Sequence, residues 1–216
     1  RVFVVRAAGD AFAAGTDIRQ FTEFASGDDG ITYERRLDAV IDRLERVSVP
    51  TIAQVHGVAA GGGCAIALTC DLRVCTPSAQ FGVPIARTLG NCLSAANLAR
   101  LVDLVGPART KDLLFTGRFL DATEAASLGL VTRMAELDGI DNVVRDLAQS
   151  IAANAPLTIR ATKEVVRRIA ARRRLDAPQA DDIIAACYAG AVDVGEKVVA
   201  PIRALRPAVD LLGPVP

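Results

Sequence analysis

Three consecutive glycines, Gly61 to Gly63, constrain the fold of this chain more than any other feature. They follow the apolar stretch 51–55, which is typical of a buried strand, and they precede the helix-like apolar segment 66–68. Glycines in a row weaken regular structure, because the backbone loses more entropy when it becomes ordered. At the start of a helix, however, they expose N–H groups that point outward and carry partial positive charge. The run therefore predicts a place where backbone donors hold an oxyanion or a phosphate.

Length and composition exclude several classes of protein. The 216 residues are enough for one domain, or for one domain with a small helical appendage. The charges balance, 25 basic against 25 acidic, and aromatic residues make up only 4%, so a nucleic-acid partner is not expected. No apolar run is long enough to cross a bilayer and no signal peptide is visible, so no membrane partner is expected either.

The cysteines indicate a reducing compartment. Their number is odd and none form a Cys-x-x-Cys pair, which favours reduced thiols and a cytoplasmic protein. We interpret them as small buried hydrophobic residues, since a nucleophilic cysteine would need a basic partner and His56 is the only histidine. They are Cys64, Cys70, Cys75, Cys92 and Cys187.

Strand and helix patterns alternate along the chain, which predicts the α/β class. Apolar spacings of three and four predict helices, of which one closes at Gly106-Pro107, one follows a capping box at Asp121–Glu124, and one opens at Pro156. The basic end of the last of these, 167–174, is either a solvated face or a contact for an acidic cofactor. The predicted strands are 1–6, 51–55, 71–75 and 130–133, and two further predicted helices are 31–47 and 140–153.

Two glycine-containing turns follow apolar strands. The first covers residues 11–18 and the second covers residues 56–64. One backbone N–H from each turn could converge on a single carbonyl oxygen and stabilise the charge that develops there when a thioester forms an enolate. The alternative is a pair of tight turns that simply need small residues.

Several segments, in this order, resemble the crotonase superfamily, also called the enoyl-CoA hydratase/isomerase family. The chain reads Ala-Phe-Ala-Ala-Gly-Thr-Asp-Ile at 11–18, Ala-Gly-Gly-Gly-Cys-Ala at 60–65, Cys-Asp-Leu-Arg at 70–73 and Ala-Gln-Phe-Gly-Val-Pro at 79–84. Gly117-Arg118 and the segment 125–131 resemble later landmarks of the family. The resemblance runs from about residue 1 to residue 170.

The resemblance implies a spiral of ββα units, here residues 1–137, and a C-terminal helical region, 138–216, that builds trimers often stacked into hexamers. It implies an acyl-CoA substrate, with coenzyme A as part of that substrate, no separate cofactor and no metal. The two oxyanion donors would be the backbone N–H groups of Thr16 and Gly62. The residues along the coenzyme A arm would be Ala14, Asp17, Ile18 and Arg19.

The chain departs from the family pattern at two chemical positions. A hydratase of this family carries glutamates where this chain has Ala65 and Ile85. Neither alanine nor isoleucine can transfer a proton. Hydration by paired glutamates is therefore not expected, and an isomerase with a single carboxylate is also in doubt.

Polar residues after position 85 are the remaining candidates near the acyl group. Arg87 could pair with a carboxylate on the substrate, because arginine stays charged and is a poor base. Thr88 and Asn91 could orient a water molecule. The alternative for each is a cap, a turn bond or a surface position. His56 is interpreted as a structural histidine, and Asp71 as an anchor for a strand.

Both ends also depart from the family, whose members normally have further strands before the position of Arg1. Residues 193–216 are rich in valine and proline and lack the expected acidic and Phe-containing pattern. An altered reading frame is one hypothesis, and sequencing the source DNA without finding a frame that restores the pattern would reject it.

The leading functional hypothesis is an enzyme of the lyase or isomerase class that acts on an acyl-CoA thioester through an atypical site. One alternative is a crotonase-fold protein that binds acyl-CoA without catalysis. Another is a CoA-thioester hydrolase or decarboxylase that uses the segment 87–91.

Overall fold

The computed structural model describes residues 1–193 as seven strands, eight α-helices and two 3₁₀ turns. The strands β1 to β7 are Phe3–Arg6, Thr51–Val55, Val58–Ala60, Leu72–Cys75, Gln80–Gly82, Phe119–Asp121 and Arg133–Met134. The helices α1 to α8 are Gly27–Glu45, Gly62–Thr69, Ile85–Thr88, Ala95–Thr116, Ala122–Ser127, Ile140–Ala153, Pro156–Ala171 and Asp181–Asp193. The 3₁₀ turns are Ile18–Glu23 and Ala177–Ala180.

The first sheet contains four parallel strands in the order β1-β2-β4-β7. Every residue of β2 is buried, as expected for a strand with neighbours on both edges and cover on both faces. Helix α1 lies between β1 and β2 along the chain, and such a crossover is what joins parallel strands. The prediction of a strand at 51–55 is confirmed.

The second sheet contains three short strands in the order β3-β5-β6. Strand β5 pairs in parallel with β3 and antiparallel with β6. The chain passes from the first sheet to the second between β2 and β3, through only His56 and Gly57. This short link places the start of α2, which follows β3, beside the ends of both sheets.

Two groups of buried apolar side chains form the core. The larger one surrounds α2 and includes Phe81 and Leu120 of the second sheet. The smaller one joins Ile52 and Val74 of the first sheet to the buried face of α6. Helix α6, although it belongs to the predicted C-terminal region 138–216, thus packs directly on the first sheet.

Helix α8 packs closely along the start of α1. Only glycine fits at position 30, because a Cβ there would overlap the ring of Tyr188. A Cβ on Gly27 would likewise overlap the backbone of Ala185. Cys187 and Tyr188 lie inside α8, and residues 194–216 are outside the described part of the chain.

Three helix ends were predicted correctly. Pro156 opens α7, and the side chain of Asp121 caps α5 by accepting from the N–H of Glu124 at 2.7 Å. The third is the helix predicted to close at Gly106-Pro107: Gly106 adopts φ 78° and ψ 163°, outside the helical region, and ends the first segment of α4. A second helical segment, counted within α4, then runs from Pro107 to Thr116.

The strand expected at 130–133 also lies elsewhere. The N–H groups of Leu130 and Val131 both donate to the carbonyl of Ala125, at the end of α5. Sheet pairing starts only afterwards, where the N–H of Thr132 donates to the carbonyl of Arg73 at 2.8 Å. The two apolar residues that suggested a strand are buried in the core by the turn that follows α5.

Candidate active site

The two glycine-containing turns meet at the end of β3. Ala13 forms a parallel bridge with Ala59. Its N–H donates to the carbonyl of Val58 at 3.1 Å, and its carbonyl accepts from the N–H of Ala60 at 2.9 Å. These bonds hold the first turn alongside the start of the glycine run.

Gly63 allows the two turns to lie this close. A Cβ at this position would overlap the carbonyl and the side chain of Ala13. The run is also tied to the second sheet, because the N–H of Gly61 donates to the carbonyl of Gly82 at 2.9 Å. A larger residue at position 63 would push the first turn away from α2.

The N–H groups of Thr16 and Gly62 have no hydrogen-bond acceptor among residues 1–193. Gly62 is the first residue of α2, and the leading N–H groups of a helix have no partner within it. A Cβ on Gly15 would lie 3.7 Å from the nitrogen of Gly62, which shows how near the two turns are. The structure thus brings together the two predicted donors, and their role as an oxyanion hole remains a prediction.

Positions 65 and 85, where a hydratase of the resembled family carries glutamates, hold apolar side chains. Ala65 is buried inside α2, and its N–H donates to the carbonyl of Gly61 at 3.0 Å. Ile85 begins α3 and packs, half-buried, against the larger core group. The structure gives neither position a group that could move a proton.

The residues predicted for the coenzyme A arm lie on an exposed edge beside Thr16. Ala14 and Ile18 are exposed, and Asp17 caps the 3₁₀ turn by accepting from the N–H of Arg19 at 3.0 Å. The Arg19 guanidinium also forms an ion pair with Asp17, and this contact lowers the pKa of the Asp17 carboxyl to about 2. The positive charge of Arg19 is therefore partly neutralised within the turn.

Arg87, Thr88 and Asn91 lie in and just after the short helix α3. The Arg87 side chain is exposed, and the hydroxyl of Thr88 donates to the carbonyl of Pro84 at 2.9 Å. The amide of Asn91 donates to the hydroxyl of Tyr188 at 2.9 Å, while its Oδ1 is buried without a partner among residues 1–193. Thr88 and Asn91 thus already have protein partners, and all three site roles remain predictions.

One buried carboxyl group in this region was not expected from the sequence. Glu34 of α1 accepts from the Tyr188 hydroxyl at 2.6 Å and from the N–H of Ser94 at 3.0 Å. Burial raises the pKa of Glu34 to about 7, against the lowering effect of these two hydrogen bonds. The sequence pattern did not single out Glu34, because its partners Ser94 and Tyr188 are distant along the chain.

The other candidates from the sequence have structural partners. The Nε2–H of His56 donates to the carbonyl of Gly9 at 2.5 Å. Asp71 anchors β2, because its carboxylate accepts from the N–H of Thr51 at 2.7 Å and from Nζ of Lys163 at 2.6 Å. These contacts agree with the structural interpretations of His56 and Asp71.

The cysteines and the basic end of α7 also form no evident site. Burial raises the pKa of Cys64 to about 12, so this thiol is not a nucleophile near neutral pH. At the basic end, Arg167 and Arg168 pair with Glu164, and Arg174 pairs with Glu45 of α1. These ion pairs favour a structural role for the arginines over contact with an acidic cofactor.

Within residues 1–193, no three His, Cys, Asp or Glu side chains come together as a metal ion would require. None of the helices in the same part of the chain combines the length and the apolar character of a membrane span.

Comparison with known proteins identifies relatives that are named as enoyl-CoA hydratases. Among curated proteins, the short-chain-enoyl-CoA hydratase of Clostridium acetobutylicum is 35% identical over 167 residues, which are 77% of this chain and 63% of that protein. The mitochondrial enoyl-CoA hydratase domain-containing protein 2 of Homo sapiens is 37% identical over 161 residues, 73% of this chain and 54% of that protein. The chain spans about three-fifths of the length of the curated relatives that it matches.

Solved structures confirm the predicted crotonase fold. An enoyl-CoA hydratase/carnithine racemase from Magnetospirillum magneticum superposes with a TM-score of 0.74 at 34% identity, covering 84% of this chain and 68% of that one. An enoyl-CoA hydratase/isomerase from Xanthobacter autotrophicus Py2 superposes with a TM-score of 0.81 at 27% identity, covering 98% of this chain and 80% of that one. The family model described as enoyl-CoA hydratase/isomerase matches residues 1–186. The chain therefore belongs to the enoyl-CoA hydratase/isomerase family of the crotonase superfamily.

Proposed function

We propose that this chain binds an acyl-CoA thioester and stabilises its enolate between the N–H groups of Thr16 and Gly62. The observation that carries the proposal is that these two donors, from separate turns, are adjacent and have no acceptor among residues 1–193. When the Cα of a thioester loses a substituent, negative charge moves to the carbonyl oxygen. Donors already directed at that oxygen stabilise the enolate more than the neutral thioester, which is what lowers a barrier.

Coenzyme A would extend from this point along the exposed edge formed by Ala14, Asp17, Ile18 and Arg19. Ala14 has no side chain beyond Cβ and leaves the backbone accessible, and Ile18 offers exposed apolar surface. Arg19 is 87% exposed in its side chain, so it can move from Asp17 to a phosphate at low cost. The relatives named as enoyl-CoA hydratases support the same class of substrate.

Binding is tested by calorimetry with butyryl-CoA, followed by competition with free coenzyme A. We expect heat of binding and displacement of the ligand by coenzyme A. If neither is observed, the acyl-CoA proposal is rejected.

The oxyanion hole is tested by removing one donor without removing a helix. Gly62→Pro deletes the N–H at the first position of α2, where proline is well tolerated. Acetoacetyl-CoA is a suitable probe, because its enolate absorbs in the ultraviolet and no catalytic base is needed to form it. We expect bound acetoacetyl-CoA to ionise at a lower pH than the free ligand in the wild type, and this effect to be largely lost in Gly62→Pro.

Ala95→Pro is the matched control, since it places proline at the first position of α4, far from the two turns in sequence. Acetoacetyl-CoA bound to Ala95→Pro should ionise at the same pH as acetoacetyl-CoA bound to the wild type. If bound acetoacetyl-CoA ionises at the same pH in the wild type and in Gly62→Pro, Gly62 is excluded as a donor.

Binding without catalysis is the second candidate function, and Ala65 and Ile85 favour it. Turnover of crotonyl-CoA by the native chain is compared with turnover by Ala65→Glu/Ile85→Glu. A pure binding protein should show no native turnover. Clear native turnover that is lost in Arg87→Ala or Asn91→Ala would reject this candidate and support the segment 87–91 as catalytic.

Hydrolysis and decarboxylation are separated from these outcomes by a panel of acyl-CoA substrates followed by mass spectrometry. Release of free coenzyme A would indicate a hydrolase, and loss of the mass of carbon dioxide from a carboxyacyl-CoA would indicate a decarboxylase. If no acyl-CoA in the panel changes its mass although calorimetry detects binding, the chain is supported as a protein that binds acyl-CoA without catalysis.

We further propose that the chain forms a homotrimer or a hexamer. Helix α7 has no fully buried residue within the described chain, yet it carries several exposed apolar side chains. They are Leu157, Val165, Val166 and Ile169. Such a face favours contact with further copies of the chain.

A further inference from the structure

Two hydroxyl groups lie next to the proposed oxyanion donors. The phenol of Tyr33, on α1, donates to Oγ1 of Thr16 at 2.7 Å. Thr16 is the residue whose backbone N–H forms one half of the proposed oxyanion hole. Its side chain therefore receives a hydrogen bond from a helix that belongs to neither glycine turn.

The hydroxyl of Thr16 faces the other donor. Oγ1 of Thr16 is the atom nearest to a Cβ built on Gly62, at 3.4 Å. Since Tyr33 donates to this oxygen, the hydroxyl hydrogen of Thr16 is available for another acceptor, and none is found among residues 1–193. The hydroxyl thus belongs to the residue that carries one of the two backbone N–H groups without an acceptor, and it lies near the residue that carries the other. Three donors without a partner in one half-buried place favour the binding of a negatively charged oxygen.

Tyr33 is held in place by aromatic neighbours. Its ring packs edge-on against Phe21, with centroids 4.9 Å apart, and tilted against Phe24 and Tyr188 at 6.1 and 6.3 Å. Burial raises the pKa of Tyr33, and the hydrogen bond to Thr16 only partly opposes this effect. The phenol consequently remains a donor throughout the neutral range and cannot reverse its hydrogen bond to Thr16 by ionising.

We propose that the hydroxyl of Thr16 is a third donor to the thioester oxygen and that Tyr33 is the positioning residue that orients it. This inference rests on the proposed acyl-CoA function. It adds a side-chain group to a site in which the backbone would otherwise supply all the stabilisation. Because hydroxyl groups at their ordinary pKa do not accept a proton from carbon, this group stabilises an enolate without acting as the missing base.

The experiment measures the pH at which half of the bound acetoacetyl-CoA is enolate, in the wild type and in three variants. Thr16→Val keeps the shape of the side chain and removes the hydroxyl, and we expect it to raise the midpoint by about one pH unit, a tenfold loss of enolate stabilisation. Thr16→Ser keeps the hydroxyl and should restore the midpoint. Tyr33→Phe keeps the ring and should raise the midpoint by less than Thr16→Val does.

Thr116→Val is the matched control, because it removes a hydroxyl that donates to the backbone carbonyl of Asp112 at the end of α4, away from Thr16 and Gly62. Affinity for butyryl-CoA, measured by calorimetry in the same variants, should change little, since the neutral thioester gains less from the extra donor than the enolate does.

The possible failures are distinguishable. A wild-type midpoint equal to that of free acetoacetyl-CoA would reject the proposed oxyanion hole itself. A lowered wild-type midpoint that is unchanged in Thr16→Val and Tyr33→Phe would overturn only the third donor. If Thr16→Val does not fold, Tyr33→Phe decides: a raised midpoint supports the inference, and the wild-type midpoint rejects it.

Discussion

Glu34 shows how the partners of one residue determine its ionisation. The residue is only 3% exposed, and its carboxyl group receives hydrogen bonds from Tyr188 and Ser94. No basic side chain forms an ion pair with it among residues 1–193. Desolvation therefore outweighs the two hydrogen bonds, and the pKa rises to about 7 from the 4.5 of an exposed glutamate.

This pKa predicts a pH-dependent stability. Because the folded state holds the proton more tightly than the unfolded state, the stabilisation is fully present below about pH 4.5 and is lost as the pH rises through about 7. The loss is about 3 kcal/mol. Glu34→Gln cannot ionise and should lack this decline, which urea unfolding at a series of pH values would measure.

Glu136→Gln serves as the control, since Glu136 is exposed and should leave the decline in place. A decline that persists unchanged in Glu34→Gln would show that another group causes it.

The sequence predicted the backbone part of the candidate site better than the side-chain part. Gly61 to Gly63 and the small residues before Thr16 are local signals, because a close approach of two turns needs small residues wherever it occurs. Tyr33 and Glu34 carry no such signal. Their roles depend on contacts with Thr16 and with Tyr188, which is 154 residues away from Glu34.

At the scale of elements, the contact between α1 and α8 depends on the absence of side chains. A Cβ on Gly30 would overlap the ring of Tyr188, whereas Gly190, within α8 itself, has open space around it. The ring of Tyr188 can therefore pack against Tyr33, beside Thr16, only because α8 lies against Gly30.

Gly30→Ala should accordingly displace Tyr188 and weaken the docking of α8. We expect a loss of about 1–3 kcal/mol in the free energy of unfolding, typical of an overpacked contact. Faster hydrogen exchange in α8, measured by mass spectrometry, would identify the element that is released.

Gly190→Ala is the matched control in the same helix. It meets nothing within 4 Å and should be neutral or stabilising, since alanine favours a helix interior more than glycine does. Equal exchange in α8 of Gly30→Ala and of the wild type would contradict the proposed overlap.

Element types were easier to predict than element ends. The prediction of a strand at 130–133 was wrong because the N–H groups of Leu130 and Val131 donate to a carbonyl at the end of α5 and not to a neighbouring strand. The short strands β3, β5 and β6 escaped prediction because three residues are too few to show a period.

At the scale of the whole molecule, the exposed apolar face of α7 predicts self-association. Val166→Glu places a charge on that face and should shift the chain from the expected trimer or hexamer towards the monomer. Light scattering coupled to size-exclusion chromatography measures the mass directly.

Ser150→Glu adds the same charge at an exposed polar position of α6 and should keep the wild-type mass. A monomeric wild type, or a Val166→Glu variant of unchanged mass, would reject α7 as the contact.

The contact of α8 with α1 also sets an order of events during synthesis. Both turns that carry the donors are synthesised well before Tyr188, which lies in the last described helix. A nascent chain that stops after α7 lacks Tyr188. Tyr33 would then be left without the ring of Tyr188, so the environment of Thr16 becomes complete only when nearly the whole described chain has been made.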